Sequence, residues 1–586
     1  MNKKDLILNI LLFISQIIVF YYFFCYLFPF KEQLQMFQFT SQYLTETLKQ
    51  AGGVAIYISE FLSQFYVVFW TGPIISALLL TLVALLSSLI LKKINSRNDL
   101  PLIFLLPWLS LLIISLDYDY YEQGTIAYLF LLLFLWLYTN IKTRIKFIYG
   151  ICIIPILYGI AGPIVHLFAI SALFFEFLTN GKKKYISIIY LLIAALSAIA
   201  GTYLGYSRNL TLAFLPEAYC NPLQTVSGIY YAWYALPMTM LLVAYLKRYK
   251  EPVSLKGKCI WEGTQWAIMF LLVYQGIFHF GKLDAQHSMK QDYLLRTEQW
   301  DLVISEFNHD VLSKRRMCGL NLALAHKGQL SERLLDYPQH GIETLMLHWD
   351  QSIYTAQLHS DLYYCMGIIS AAQKFAFEAF VSSRSSGNPR MLKRLIETNL
   401  ITGSYPIADK YIQLLEKTWY YKDWATAHRR FLYNDKAVEE DKILGMKRRC
   451  WKTETSAAKL YTDPVSSLIN LLPACPDNKA GLAYLTSFLL LNKDIETYKT
   501  LQESLYHSPA WRDMTECQQE AIVICSPNDP HFWLEHGVSI KVRNRAIAFM
   551  QKVQDISRSG QNPAVALASE YGKTYWYYYM FNMMDK

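Results

Sequence analysis

Apolar positions crowd the first 281 residues in long runs, and from there to the C-terminus they recur at helical spacing among charges. The runs cover 6–30, 67–91, 101–116, 124–141, 147–160, 163–178, 185–204, 229–246 and 262–281. A stretch of about 20 apolar residues is the length that crosses a bilayer as a helix, so these runs predict about nine spans. The first run is longer than a signal-peptide core and has no small-x-small cleavage site, which makes it a retained span. The two runs flanking Ala161-Gly162-Pro163 are short, and their Gly-Pro break predicts a tight hairpin. The last crossing, Trp261–Lys282, joins the apolar half to the polar one.

Charge decides which side is which. With the N-terminus inside, segments 1–5, 92–100, 142–146, 179–184 and 247–261 hold 16 Lys/Arg, while the outer segments hold Lys31, Lys49 and Arg208 against seven acids. That asymmetry is the positive-inside signal. It predicts a bacterial inner-membrane protein with a cytoplasmic N-terminus and a periplasmic C-terminal half. Residues 1–281 carry 19 Lys/Arg and 12 Asp/Glu, and the rest carry 36 and 34, so the net charge of +9 comes mostly from the membrane half. A nucleic-acid surface is thereby excluded. Ten cysteines without CxxC or paired spacing give neither a zinc site nor a disulfide framework, and read as buried thiols.

The polar half contains turns of one form: Thr297-Glu298-Gln299-Trp300, Lys327-Gly328-Gln329-Leu330, Thr402-Gly403-Ser404-Tyr405 and Asn492-Lys493-Asp494-Ile495, with Met366-Gly367 a fifth. Positions 298, 328, 367 and 403 bracket the 34-residue tetratricopeptide period, and the flanking apolar spacing is helical. This grammar resembles degenerate tetratricopeptide repeats. The resemblance implies an α-solenoid over 282–437 and a second helical-repeat block over 438–586, separated at the charged stretch 438–453. The aromatic end, YGKTYWYYYMF, reads as a cap on the last repeat. The fold class is therefore all-α: a polytopic membrane bundle followed by a periplasmic tetratricopeptide-like solenoid.

Candidate chemistry gathers in the outer loops. Residues 31–66 read as two amphipathic helices broken at Gly52-Gly53, carrying Glu32, Glu46 and Glu60. Asp117-Tyr118-Asp119-Tyr120-Tyr121-Glu122 crowds three carboxylates directly after the third span, where they raise one another's pKa unless a cation or an arginine compensates, the alternative being a solvated outer rim with an aromatic belt. Arg208 lies in the third outer segment, and a guanidinium fork suits phosphate. His166 and His279 lie within spans. No HExxH, Gly-x-Ser-x-Gly or phosphate-binding glycine loop occurs.

This layout over 1–210 resembles the GT-C class of membrane glycosyltransferases, which use polyprenyl-phosphate-linked sugars. The resemblance implies one of Glu32, Glu46 and Glu60 as catalytic base. It implies Asp117 and Asp119 as ligands of a divalent cation (Mg or Mn) or of the lipid pyrophosphate, and Arg208 as a phosphate grip. The class places acids, often Asp, just beyond the first span, where this chain has Glu32 alone. Spans followed by repeats of the form AQKFAFEAF and LKRLIETNLITGSY also resemble an uncharacterised Bacteroidetes-type membrane protein family, which brings no activity with it. The competing expectation is a non-catalytic scaffold, whose spans anchor a periplasmic solenoid that binds protein or peptide partners.

Overall fold

The computed structural model describes residues 3–97, 100, 102–179, 185–221, 226, 228–249, 254–307, 313–383, 387–454, 463–505 and 514–582. Lys182, Lys183 and Lys184 of the predicted inner loop lie outside the described residues. Among the described residues every regular element is a helix. The chain forms two compact units, Met1–Met289 with Lys417–Tyr420, and Lys290–Glu416 with Tyr421–Lys586.

In the first unit, a helix answers each predicted apolar run: Lys3–Phe23, Thr71–Ile94, Leu106–Ser115, Glu122–Asn140, Thr143–Ala161, Val165–Leu178, Ile189–Tyr203, Ile229–Leu246 and Leu255–Phe280. By length and composition alone, five segments can cross a membrane. A sixth is added if Lys256–Phe280 and Leu283–Arg296, bent by 57°, form one span. Leu106–Ser115 and Ile189–Tyr203 are apolar but shorter than that test requires. Ile145–Leu178 counts as a single segment of 34 residues in that tally, which as one straight helix would be about 51 Å long. It is not straight. Lys146 Nζ lies 2.6 Å from Glu176 Oε1, so the chain reverses between them, as the Gly-Pro break predicts. Gly162 takes a φ of +80° at the reversal. Tyr219 pins the turn, its hydroxyl donating to Ala161 O (2.5 Å) and accepting from the Ile164 N–H (3.1 Å).

Polar contacts sort the loops to the two ends of this bundle. At one end Lys92 pairs with Asp5 (2.6 Å), Lys93 donates to Asn140, and Arg97 donates to Leu246 O (3.0 Å). The Lys146–Glu176 pair belongs to this end, where the Tyr138 hydroxyl also donates to Glu176 (3.2 Å). At the other end the Ala51 N–H donates to Tyr206 O (2.9 Å) and the Gly52 N–H to Tyr158 O (3.2 Å). The loop after the first helix forms the predicted pair, Ser41–Leu48, capped by Thr40, and Gly53–Ser63. Gly52, at φ +78°, separates them, and a Cβ there would stand 3.1 Å from the Ala161 carbonyl. Only glycine combines that backbone with so close an approach.

The second unit is built from helical hairpins with a shared reversal. Glu298, Gly328, Gly367, Gly403 and Lys493 all have positive φ, between +56° and +87°. In each case the next residue donates its N–H to the carbonyl five residues back: Gln299 to Leu294, Gln329 to Leu324, Ile368 to Tyr363, Ser404 to Asn399 and Asp494 to Leu489. This is the Schellman closure, which satisfies orphan carbonyls at a helix end. The turns picked out by the sequence are thus the reversals of the fold.

Charged stretch 438–453 is largely helical. Lys442–Thr453 is an amphipathic helix whose Lys447 and Arg448 are buried. Lys447 donates to Cys365 O (2.9 Å), and Arg448 to Leu400 O (2.7 Å) and Ile401 O (3.0 Å). Cys450 on this helix is joined to Cys475 by a disulfide, with a Cα–Cα separation of 5.6 Å. The aromatic end forms the short helix Tyr575–Phe581. The Tyr575 and Tyr578 hydroxyls donate to Leu490 O and Leu491 O (3.0 Å each), and Trp576 Nε1 to Glu520 O (3.0 Å).

Candidate functional site

At the Gly52 end of the first unit, chain segments distant in sequence bring ionisable groups together out of solvent. Short helix Leu27–Glu32 follows the first apolar helix and carries Lys31 and Glu32, both buried. Lys31 Nζ donates to Ser115 O (3.0 Å), the carbonyl that ends helix Leu106–Ser115. Glu32 accepts from the neighbouring Gln33 amide.

Beyond Ser115 the chain turns through Asp117 and Asp119, which are 6% and 1% exposed. The turn is local chemistry, because Asp117 Oδ1 accepts the Asp119 N–H (2.9 Å), as aspartates do in loops. Asn221 then locks it from the third outer segment. Its backbone N–H donates to Asp119 O (2.8 Å), and its side-chain amide to Asp119 Oδ1 (2.9 Å). Tyr120 and Cys220 form an antiparallel bridge beside it. Glu122 is buried at the start of the next helix.

Lys282 supplies the compensating cation. Its Nζ donates to Asp117 Oδ1 (2.8 Å) and Asp119 Oδ2 (3.2 Å), and lies 4.3 Å from the Tyr118 ring centroid. The residue sits at the 57° break between Lys256–Phe280 and Leu283–Arg296, with a φ of +42°. That backbone is costly for a side chain longer than glycine, and such outliers cluster at functional positions.

Burial sets the protonation chemistry. It pulls the Lys31 ammonium down, against the raising effect of Glu122, Asp117 and Asp119. Burial pushes the Asp119 carboxyl up, against Asn221 and Lys282. For Lys282, burial also works against the charge, but the bond to Asp117 and the nearby carboxylates outweigh it and raise the pKa. Lys31 is thus pulled down and Asp119 pushed up within one cluster, while Lys282 is favoured as a cation beside the aspartates.

The predicted residues divide. Asp117 and Asp119 lie in this cluster, and Glu32 is buried on the helix that carries Lys31. Glu60 is buried on Gly53–Ser63, which packs against Glu122–Asn140. Glu46 is exposed and accepts from Gln42 (2.8 Å), and Arg208 is exposed. The cation on the aspartate pair is Lys282. Among the described residues no group of three or more His, Cys, Asp or Glu could hold a metal ion. The pair already brackets an ammonium, so these residues do not fit a resident divalent cation. The sequence signal for Lys282 was its place, the first residue after the last apolar run and hence an outer cation.

A family model described as a family of unknown function matches residues 2–582. Comparison with curated proteins and with solved structures returns no match.

Proposed function

We propose that this chain, which belongs to the family of unknown function DUF6057, is a membrane transferase that takes a sugar from a polyprenyl-phosphate carrier, with a GT-C-like layout. One observation carries the reading: Lys31, Asp117, Asp119, Asn221 and Lys282 converge in one polar cluster at the end of the apolar bundle, Lys31 and the two aspartates buried in it. Ionisable groups are costly at membrane depth and mark function by default. In this reading Glu32 accepts the proton of the acceptor hydroxyl. Lys31 and Lys282 offer positive charge to the departing lipid phosphate. Asp117 and Asp119 orient Lys282. Arg208 keeps only a supporting part, at the lipid surface.

The topology proposed with it has nine crossings and the cluster on the periplasmic face. The sorting of Asp5, Lys92, Arg97 and Lys146 to one end supports it, because that end would be the basic, cytoplasmic one. The Cys450–Cys475 disulfide supports a second unit in an oxidising compartment. The shared reversals support a tetratricopeptide-like solenoid.

The test is transfer of radiolabelled sugar from a polyprenyl-phosphate-linked pool by membranes containing the protein. Glu32→Gln and Lys282→Gln should each lower the rate by roughly 10²-fold, as losses of preorganised electrostatics do, at unchanged protein level. The scaffold reading is favoured by one observation, the internal neutralisation of the aspartate pair by Lys282. Full complementation of a deletion by the Glu32→Gln/Lys282→Gln double variant would decide for the scaffold.

A further inference from the structure

The second unit contains a cleft of about 960 Å³ between the loop Leu335–Glu343 and the elements that carry Asn492, Arg545, Lys573 and Asn582. That volume is at the upper end for a ligand pocket. Its carboxylates are already engaged. Asp336 accepts from Arg333 (3.4 Å), Glu343 from Lys314, and Glu570 from Lys552 (2.6 Å and 2.7 Å). Arg333 and Lys552 are not themselves part of the lining.

Two cations of the lining are held only loosely. Arg545 approaches Glu516 at 3.7 Å and Glu520 at 4.0 Å, and Lys573 approaches Asp336 at 3.6 Å. These distances are beyond a hydrogen bond. The acids concerned have closer donors: Glu516 accepts from Lys541, and Glu520 accepts the Tyr575 N–H at 2.7 Å. A guanidinium and an ammonium therefore face the cleft with donor capacity to spare. Around them stand Asn492 and Asn582, which can pair with a main chain, and Leu335 and Ile342, which can cover side chains. Of the lining aromatics, Tyr337 and Tyr578 are buried, their rings taken by Arg333 and Lys493, and Phe581 is half-buried beside Tyr577.

We propose that this cleft binds an extended peptide through a carboxylate, gripped by Arg545 and Lys573. It does not rest on the transfer reaction proposed above. The probe is an array of random octapeptides tethered by their N-termini, in free-carboxylate and C-terminally amidated forms, incubated with the full-length protein in detergent. A subset of peptides should be retained, and Arg545→Gln and Lys573→Gln should each weaken retention by about tenfold or more at unchanged melting temperature. Loss on amidation assigns the terminal carboxylate, and retention of amidated peptides only where they contain Asp or Glu assigns a side chain. Retention independent of any carboxylate, displacement by millimolar inorganic phosphate, insensitivity to both substitutions, or an array that retains nothing would each overturn the proposal.

Discussion

Lys146 and Glu176 lie thirty positions apart in sequence and form a 2.6 Å ion pair within the apolar unit. The pair is largely shielded, and Lys146 also lies over the rings of Tyr138 (4.7 Å) and Phe175 (4.9 Å). It marks the reversal that makes Thr143–Ala161 and Val165–Leu178 a hairpin rather than one long helix.

Breaking that pair should therefore be expensive. Lys146→Met or Glu176→Gln alone leaves a buried charge uncompensated, at a cost of about 3–5 kcal/mol. The exchanged pair Lys146→Glu/Glu176→Lys should recover part of that loss. Thermal unfolding in detergent, analysed as a double-mutant cycle, gives the coupling, and additive losses would show that the contact does not hold the hairpin.

Sidedness can be read with an impermeant thiol reagent on intact cells. Cysteine at exposed Ser96 should stay unlabelled, and cysteine at exposed Arg208 should react. The opposite pattern would invert the proposed topology. Mass spectrometry of alkylated, non-reduced protein should in the same preparation recover Cys450 and Cys475 as one linked peptide pair.

The left-handed reversals predict opposite signs for two simple substitutions. Glu298 has a φ of +58°, a conformation that costs a non-glycine residue about 1–2 kcal/mol. Glu298→Gly should stabilise the second unit by about 1 kcal/mol, and Gly403→Ala, at φ +75°, should destabilise it by a similar amount. Chemical denaturation of the full chain, followed by Trp fluorescence, measures both.

Glu520 should make the second unit pH-sensitive. Burial pushes its carboxyl up to about 7, against the Tyr575 N–H and Arg545. A carboxyl raised above its unfolded value favours the folded state at low pH, fully below about 4.5, and this contribution is lost as pH rises through about 7. Melting temperature should fall across that window, and Glu520→Gln should flatten the slope. An unchanged slope in the variant would assign the effect to another group.

Much of the fold was legible because its causes are local. Apolar runs announce the helices of the first unit, Gly162 announces the hairpin, and the turn positions 298, 328, 367, 403 and 493 are the reversals. What sequence could not supply is which distant group satisfies which charge. Lys282 meets Asp117 across 165 positions, and the charge pattern favoured Arg208 as the outer cation. In stretch 438–453 the charges are legible, but nothing local reveals that carbonyls of Cys365, Leu400 and Ile401 receive its buried Lys447 and Arg448. The Cys450–Cys475 bond was hidden for the same reason.

Those repeated reversals also bear on how the chain acquires its structure. Each closes through a hydrogen bond spanning only five residues, so its loop-closure entropy is small and its formation is fast. A hairpin such as Ile353–Ser382 can therefore assemble while the residues behind it are still being synthesised. Long-range ties such as the Lys447 bond to Cys365 and the Asn478 bond to Met366 come afterwards, fastening units that already exist. Nascent chains should thus gain protease resistance in steps, one hairpin at a time, rather than all at once at termination.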